Sequence, residues 1–444
     1  MTRIMIIGTG YVGLVSGACL ADFGNQVICF DIDADKIDIL RRGEIPFFEP
    51  GLGELVARNC ASGRLSFSTD FDAALAQCPV VFIAVGTPEL PDGGADLSAV
   101  FRVAEAIGSK LEDYRVIVQK STVPVGTCER LRALIARAAG EAGRKDPDFD
   151  IVSNPEFLRE GSAIGDFLRP NRVIMGTDSE RAARIMREVY RPLYINETPI
   201  LSTTLESAEM IKYAANAFLA TKISFINEIA ELCEQVRADV QAVARGMGLD
   251  QRIGSKFLHA GAGFGGSCFP KDTKALVRTG QDAGLTMGVV AAAIAANERQ
   301  PLRAVEKLRR LAGGSLAGLT VAVLGLSFKP NTDDVRESAA LKIIARLRAE
   351  GAKERAYDPV AMANALKLLP DLVLAESTYD CITGADALML VTEWNEFRVL
   401  DLSRVAALLK RPLVVDCRNV FNHALMREAG LRYEAFGQLD REAV

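Results

Sequence analysis

The sequence predicts an α/β protein built from two open parallel sheets joined by a long central helix. Three observations predict it: short β-branched runs alternate with amphipathic stretches in the first half, an uninterrupted helical pattern follows, and the alternation then restarts. Strands alternating with helices form parallel sheets covered on both faces. A glycine-rich turn after the first strand makes that sheet Rossmann-like, and the restarted alternation puts the second in the same class. At 444 residues the chain exceeds a single core, since cores stop growing near ~250–300 residues. The expected division is 1–203, 204–312 and 313–444.

In chain order, the first-half strands are expected at Ile4–Ile7, Gln26–Phe30, Val80–Val85, Val116–Val118 and Ile151–Ser153. From Ser207 to about Val236, Met210, Ala214, Ala217, Phe218, Phe225, Ile229 and Leu232 recur at helical spacing without internal Gly or Pro, which predicts the linking helix. A glycine-rich segment at Gly261–Gly266 is followed by further helix to about Leu311. Gly313-Gly314-Ser315 marks a boundary, and strands are expected again at Leu319–Leu324, Ala356–Asp358, Ala387–Val391 and Leu413–Asp416.

Composition narrows the function. A formal charge of -5 leaves no basic footprint for nucleic acid or anionic lipid. The nine cysteines are odd in number and form no C-x-x-C pair, and the chain opens on a strand-like Thr2–Ile7, which together predict a reduced, cytoplasmic protein. The longest apolar runs, such as Gly288–Ala296, are too short to cross a bilayer, so no membrane contact is expected. With only His259 and His423, no metal site is expected and the chemistry falls to other side chains.

Gly8-Thr9-Gly10-Tyr11-Val12-Gly13 follows a strand and opens an apolar helix, which lets a pyrophosphate approach a helix N-terminus. Asp31 ends the second strand about twenty residues on, where an acid binds a ribose 2′-hydroxyl and repels the extra phosphate of NADP. NAD is therefore the expected cofactor. Lys36 either approaches the ribose or is a solvated helix lysine. Thr87 and Thr122 sit after apolar strands at the ligand-binding edge, as cofactor contacts or as plain turn residues.

Lys212 and Asn216, four apart, share one helix face. Cys268 follows a glycine-rich loop, precedes Pro270 and neighbours Lys271. A helix N-terminus and a cation favour thiolate, so this cysteine is the candidate nucleophile. Asp272 falls in the same helix's first turn, where it holds water or the lysine, or favours the helix dipole. Asn154-Pro155-Glu156-Phe157-Leu158-Arg159-Glu160-Gly161 brings two carboxylates to another strand's carboxyl end.

Gly8–Gly13, Asn154–Gly161, Lys212-Tyr213-Ala214-Ala215-Asn216, Gly263–Asp272 and Gly325–Ser338 together resemble the UDP-glucose/GDP-mannose dehydrogenase family over nearly the whole chain. The resemblance implies NAD in the first domain, a homodimer built on the helical region of the central helix, and a last domain that grips the donor nucleotide. It assigns Gly8, Gly10, Tyr11, Val12, Gly13, Asp31, Lys36, Thr87, Thr122, Lys271 and Arg336 to the cofactor. Glu156, Phe157, Leu158, Arg159, Glu160, Lys212, Asn216, Arg252, Phe257, Leu258, His259, Ala260, Gly261, Gly265 and Lys329 go to the UDP-sugar, with Arg252 reaching a neighbouring subunit. His259 stands where the family often has lysine.

The implied reaction oxidises a sugar alcohol to the carboxylate with two NAD and one water, through a thiohemiacetal and a thioester on Cys268. Lys212, Asn216, Asp272, Glu156 and Thr122 complete the catalytic set, with Asp272 or Glu156 handling the water. The motif wording favours UDP-glucose over GDP-mannose or a UDP-N-acetylhexosamine. A two-electron β-hydroxyacid dehydrogenase would need neither Cys268 nor a third domain. A catalytically silent nucleotide-binding protein would not need Cys268, Lys212, Asn216 and Asp272 together.

Overall fold

The computed structural model describes residues 1–144 and 146–439. The chain forms two compact units, Met1–Ala215 and the remainder from Asn216.

The first unit contains strands β1 (Arg3–Ile7), β2 (Gln26–Phe30), β3 (Leu65–Ser68), β4 (Val80–Ile83), β5 (Arg115–Gln119), β6 (Phe149–Ser153), β7 (Val173–Gly176) and β8 (Ile200–Thr203). Their order is β3-β2-β1-β4-β5-β6-β7-β8, parallel except where Ser153 meets Gly176 antiparallel. Its first six strands have the dinucleotide-binding order, whose ligands sit at the strands' carboxyl ends where the order reverses, here between β1 and β4. Both sheet faces are covered, which is why the central strands read as continuous apolar runs. Ile4, Ile6, Val80, Phe82, Val116 and Val118 face one core, while Met5, Ile7, Val81, Ile83 and Ile117 face the other.

The second unit holds β9 (Thr320–Leu324), β10 (Lys353–Tyr357), β11 (Ala387–Leu390), β12 (Leu413–Asp416) and β13 (Arg432–Ala435), all parallel in the order β10-β9-β11-β12-β13. Val321 and Val323 point into one core and Ala322 and Leu324 into the other. The sequence placed β10 at Ala356–Asp358; it begins earlier, at Lys353, and Asp358 lies just beyond it. Likewise β4 stops at Ile83 rather than Val85.

The linking helix runs Leu205–Val236, 32 residues. Its faces reverse the usual pattern. Lys212, Asn216 and Asn227 are buried along with Ala208, Ala217, Ala220 and Ala230, whereas Phe218, Phe225, Leu232 and Val236 are 66%, 45%, 54% and 61% exposed. Much of the apolar stripe that identified the helix therefore lies outside. A helix ending at Leu311 precedes Gly313 and Gly314, both at positive φ. Among the described residues, no helix is long and apolar enough to cross a membrane.

Candidate functional site

The loop after β1 turns at Gly8, whose φ is +100° and whose missing Cβ would meet the Ala84 carbonyl oxygen at 2.8 Å. A Cβ on Gly13 would lie 1.9 Å from the Gly8 carbonyl oxygen, so that glycine is fixed by packing. Gly10 is different: a Cβ there would meet nothing within 4 Å, leaving open space at the N-terminus of the helix Tyr11–Asp22. Asp31 Oδ2 accepts from Thr9 N and Thr9 Oγ1, both at 2.8 Å, and from Lys36 Nζ at 3.4 Å. Its Oδ1 takes one N–H, from Asp33 at 3.1 Å, and keeps acceptor capacity for a ribose hydroxyl. Burial pushes the Asp31 carboxyl up, but the Thr9 and Asp33 hydrogen bonds and the Lys36 charge outweigh it and hold the group below its usual range. A dinucleotide fits both features.

Thr87 and Thr122 come together on the loops after β4 and β5, Thr87 Oγ1 donating to the Thr122 carbonyl at 3.0 Å. Tyr11 donates to Glu49 Oε2 at 2.5 Å. Glu49 also accepts from Gly161 N at 2.6 Å and Ala163 N at 2.8 Å. It ties the glycine loop to the far end of the Asn154–Gly161 segment.

That segment carries Glu156, which forms a buried ion pair with Lys212 at 3.2 Å, the two side chains 5% and 4% exposed. The other Glu156 oxygen accepts from Leu158 N. The Phe157 ring is flanked by Lys212, 5.2 Å from its centroid, and Arg172, at 3.7 Å. Arg159 points away, 62% exposed and paired with Asp166 at 2.6 Å. Glu160 lies near enough to Tyr11 to raise that phenol's pKa, after burial and Glu49.

In the second unit Cys268 occupies the N-cap position of the helix Phe269–Asp282, with Asp272 N donating to the Cys268 carbonyl at 2.8 Å. The helix starts at Phe269, one residue before Pro270. Asp272 is 1% exposed. Its Oδ2 accepts from Asn216 Nδ2 at 2.7 Å and its Oδ1 from Lys271 Nζ at 2.8 Å. Asn216 lies one helical turn beyond Lys212, so the helix displays an ammonium and an amide about 6 Å apart along its axis. Cys268 is half-buried at the N-terminus of this helix. Burial pushes the thiols of Cys78, Cys381 and Cys417 up, to about 11, 12 and 12.

The glycines before Cys268 have packing reasons. A Cβ on Gly261 would meet the Cys417 carbonyl oxygen at 2.3 Å, and one on Gly265 the Glu337 carbonyl oxygen at 2.3 Å. Gly261 N donates to Asn227 Oδ1 at 2.8 Å, so the long helix also anchors this loop. Phe257 adopts a φ of +63° and contacts the Phe269 ring at 6.1 Å. Leu258 and Ala260 are buried, and His259 is exposed. Arg252 is 89% exposed and paired with Asp250 at 2.6 Å. Lys329 lies over the Phe328 ring at 5.3 Å, and Arg336 pairs with Asp334 at 2.7 Å.

Sequence reasoning missed three buried groups in the first unit. Glu49 sits in a turn with no periodicity to flag it. Glu209, 2% exposed, accepts from Gly126 N and Cys128 N, both at 2.7 Å, capping the helix Thr127–Glu141. Lys120 follows β5 (Arg115–Gln119) in a segment whose polar residues the sequence placed at the ligand edge, but its burial was not foreseen.

The acid-terminated glycine loop on a sheet of this order defines the first unit as the nucleotide half of an NAD-linked oxidoreductase. Three domain models of one family match in sequence: the NAD binding domain over residues 2–194, the central domain over 206–299 and the UDP binding domain over 322–423. The chain belongs to the UDP-glucose/GDP-mannose dehydrogenase family. It is 52% identical to the UDP-glucose 6-dehydrogenase of Rhizobium meliloti (strain 1021), covering 99% of this chain and 100% of that one. It is 49% identical to the UDP-glucose 6-dehydrogenase TuaD of Bacillus subtilis (strain 168), covering 99% and 94%. A UDP-glucose dehydrogenase structure from Pyrobaculum islandicum is 41% identical with a TM-score of 0.90, covering 99% and 98%.

Proposed function

We propose that the protein is a UDP-glucose 6-dehydrogenase that oxidises the C6 alcohol of its substrate to the carboxylate, giving UDP-glucuronate in two oxidations at the expense of two NAD and one water. The observation that carries this reading is Cys268 at a helix N-terminus with Asp272 one turn in, holding the Asn216 amide. A two-electron dehydrogenase has no use for that thiol. The names of the relatives support UDP-glucose as the sugar nucleotide.

The Gly8–Gly13 loop and Asp31 would hold NAD, which when bound would supply the hydride acceptor for both oxidations. In the first, the hydride leaves C6 while the hydroxyl proton passes from O6 to a base, and the aldehyde forms. The Cys268 thiolate then bonds to the aldehyde carbon, and Lys212 and Asn216 offset the charge on the resulting alkoxide oxygen, where fixed dipoles and charges are most effective. The second oxidation converts this thiohemiacetal into a thioester. Water attacks the thioester carbon, the C–S bond breaks, and the thiolate returns as the proton passes to Asp272 or Glu156. Thr122, beside Thr87, borders the cofactor.

We also propose a homodimer through the long helix, supported by the exposed Phe218, Phe225, Leu232 and Val236, since a large apolar patch on a soluble chain marks a contact surface. The three-part division at 203 and 312, the contacts assigned to Lys271, Arg336, Arg252, His259 and Lys329, and a cytoplasmic location belong to the same reading.

The test is the Cys268→Ala variant, assayed for NADH and sugar product with UDP-glucose. It is expected to form no UDP-glucuronate, and Cys268→Ser is expected to stall as an ester detectable by intact mass. Two NADH per sugar at the wild-type rate from Cys268→Ala would refute the covalent route.

A further inference from the structure

We infer that Asn297 is a positioning residue for Cys268: its buried amide clamps the Phe264 peptide from both sides, and the Phe264 ring carries that constraint to the residue after the cysteine. The inference rests on the proposed covalent role of Cys268.

The glycine segment before Cys268 is tied down at several points. Gly261 N donates to Asn227 Oδ1 at 2.8 Å, Ala262 N to the Cys417 carbonyl at 3.1 Å and Gly266 N to the Arg336 carbonyl at 2.9 Å. Between these ties, Asn297 Oδ1 accepts from Phe264 N at 2.8 Å and Asn297 Nδ2 donates to the Phe264 carbonyl at 2.9 Å. A primary amide supplies a donor and an acceptor side by side, as an adjoining strand would, so neither Phe264 backbone group is orphaned. An aspartate has the same shape and no donor.

Asn297 is 9% exposed and lies inside the helix Gly288–Leu311, four residues before Pro301. Pro301 has no N–H, so the Asn297 carbonyl lacks the helical hydrogen bond it would otherwise accept, and the helix ladder is interrupted at the clamp. Gly263 completes the fit. Its φ is +95°, and a Cβ there would stand 2.5 Å from Asn297 Oδ1, so the approach of the amide requires glycine at that position.

From Phe264 the constraint passes to the cysteine by ring contact. The Phe264 ring meets the Phe269 ring edge-on, with centroids 5.9 Å apart and planes at 83°, and Phe269 is the first residue of the helix that begins after Cys268. Holding Phe269 fixes the backbone from which the Cys268 side chain projects. The sulfur must reach one carbon of the sugar, and a displacement of about 1 Å is enough to spoil a bond-forming approach. Sulfur takes no part in the first oxidation, in which C6 gives up hydride and O6 its proton. It enters only when the C–S bond forms at the aldehyde carbon. A misplaced Cys268 therefore leaves the first oxidation running and lets the aldehyde escape.

The test compares wild type with Asn297→Asp, which keeps an acceptor toward Phe264 N and loses the donor, and with Asn297→Leu, which keeps the volume and loses both bonds. Each is incubated with UDP-glucose and NAD. NADH and UDP-glucuronate are quantified, the 6-aldehyde is captured as a hydrazone in the protein-free filtrate, and thermal midpoints report folding. Wild type should give two NADH per acid and no hydrazone. The variants should form acid roughly tenfold more slowly, with KM for UDP-glucose within about threefold of wild type, and their NADH in excess of twice the acid should equal the hydrazone. Should Asn297→Leu fail to fold, Asn297→Asp carries the same readout. Absence of aldehyde from both variants would overturn the inference whatever their rate, because an amide that matters only to folding lowers acid and NADH together. A wild type unable to reduce NAD with UDP-glucose, or a Cys268→Ala variant that turns over to acid, would overturn the proposed function and this inference together. A wild type that makes acid through Cys268, beside variants that release no aldehyde, overturns this inference alone.

Discussion

The first turns of the two sheets are built alike and end differently. Gly8 N donates to the Phe30 carbonyl at 2.8 Å, and Gly325 N to the Tyr357 carbonyl at 2.8 Å. Both glycines have φ near the same value, +100° and +95°, and both second strands are followed by an aspartate that accepts from the turn. In the first unit that aspartate, Asp31, keeps an oxygen with room for a ligand. In the second, Asp358 Oδ2 accepts from Leu326 N, Ser327 N, Ser327 Oγ and Trp394 Nε1 at 2.8–3.1 Å, while Oδ1 accepts from Val360 N and Ala361 N at 3.0 and 2.8 Å. Asp358 is fully buried. The chain after Gly8 enters a helix at Tyr11, whereas after Gly325 it wanders until Ala339, exposing no helix N-terminus at the turn. The two aspartates thus differ in what is left over: Asp31 has acceptor capacity to spare beside a helix that begins at once, and Asp358 has neither.

The largest effect that can break this contrast is at Asp358. Asp358→Ala should cost about 3 kcal/mol or more of stability, because six donors, five of them buried, lose this acceptor. A lowered midpoint in thermal or urea unfolding with unchanged NADH affinity would confirm the contrast, and weakened NADH binding with wild-type stability would reverse it. Next comes Gly10→Ala, which should leave stability intact, since its Cβ meets nothing within 4 Å, but weaken NADH binding about tenfold by filling the space at the helix N-terminus. Fluorescence titration would decide it, and unaltered affinity would mean the cofactor lies elsewhere. The smallest effect is expected from Tyr11→Phe. Losing one hydrogen bond to Glu49 should reduce the affinity for NADH and for UDP-glucose by a few-fold each, about 1 kcal/mol or less. A change in neither would deny that Glu49 links the two loops.

Much of this was legible. Gln26–Phe30 and Leu413–Asp416 stand where apolar runs put them, because strands buried on both faces cannot hide their composition. Leu65–Ser68, Val173–Gly176, Ile200–Thr203 and Arg432–Ala435 were not foreseen. Three of them, Leu65–Ser68, Ile200–Thr203 and Arg432–Ala435, are edge strands in which Ser, Thr and Arg dilute the pattern, whereas Val173–Gly176 is apolar and buried throughout and is too short to stand out by periodicity. The edge strand β10 lost its start for the same reason, with Lys353, Glu354 and Arg355 reading as loop. At the site, the residues that spacing can find, Lys212 with Asn216 and Cys268 with Asp272, are one helical turn apart and needed no tertiary information. Glu49 and Lys120 act across long sequence separations, on Gly161 and Asn154, and no local pattern announces such pairings.

The long helix buries Lys212 and Asn216 and leaves its aromatic side chains Phe218 and Phe225 exposed. If the proposed dimer and the proposed chemistry both hold, association and catalysis are addressable by different mutations of this single element, since the two pairs differ in exposure.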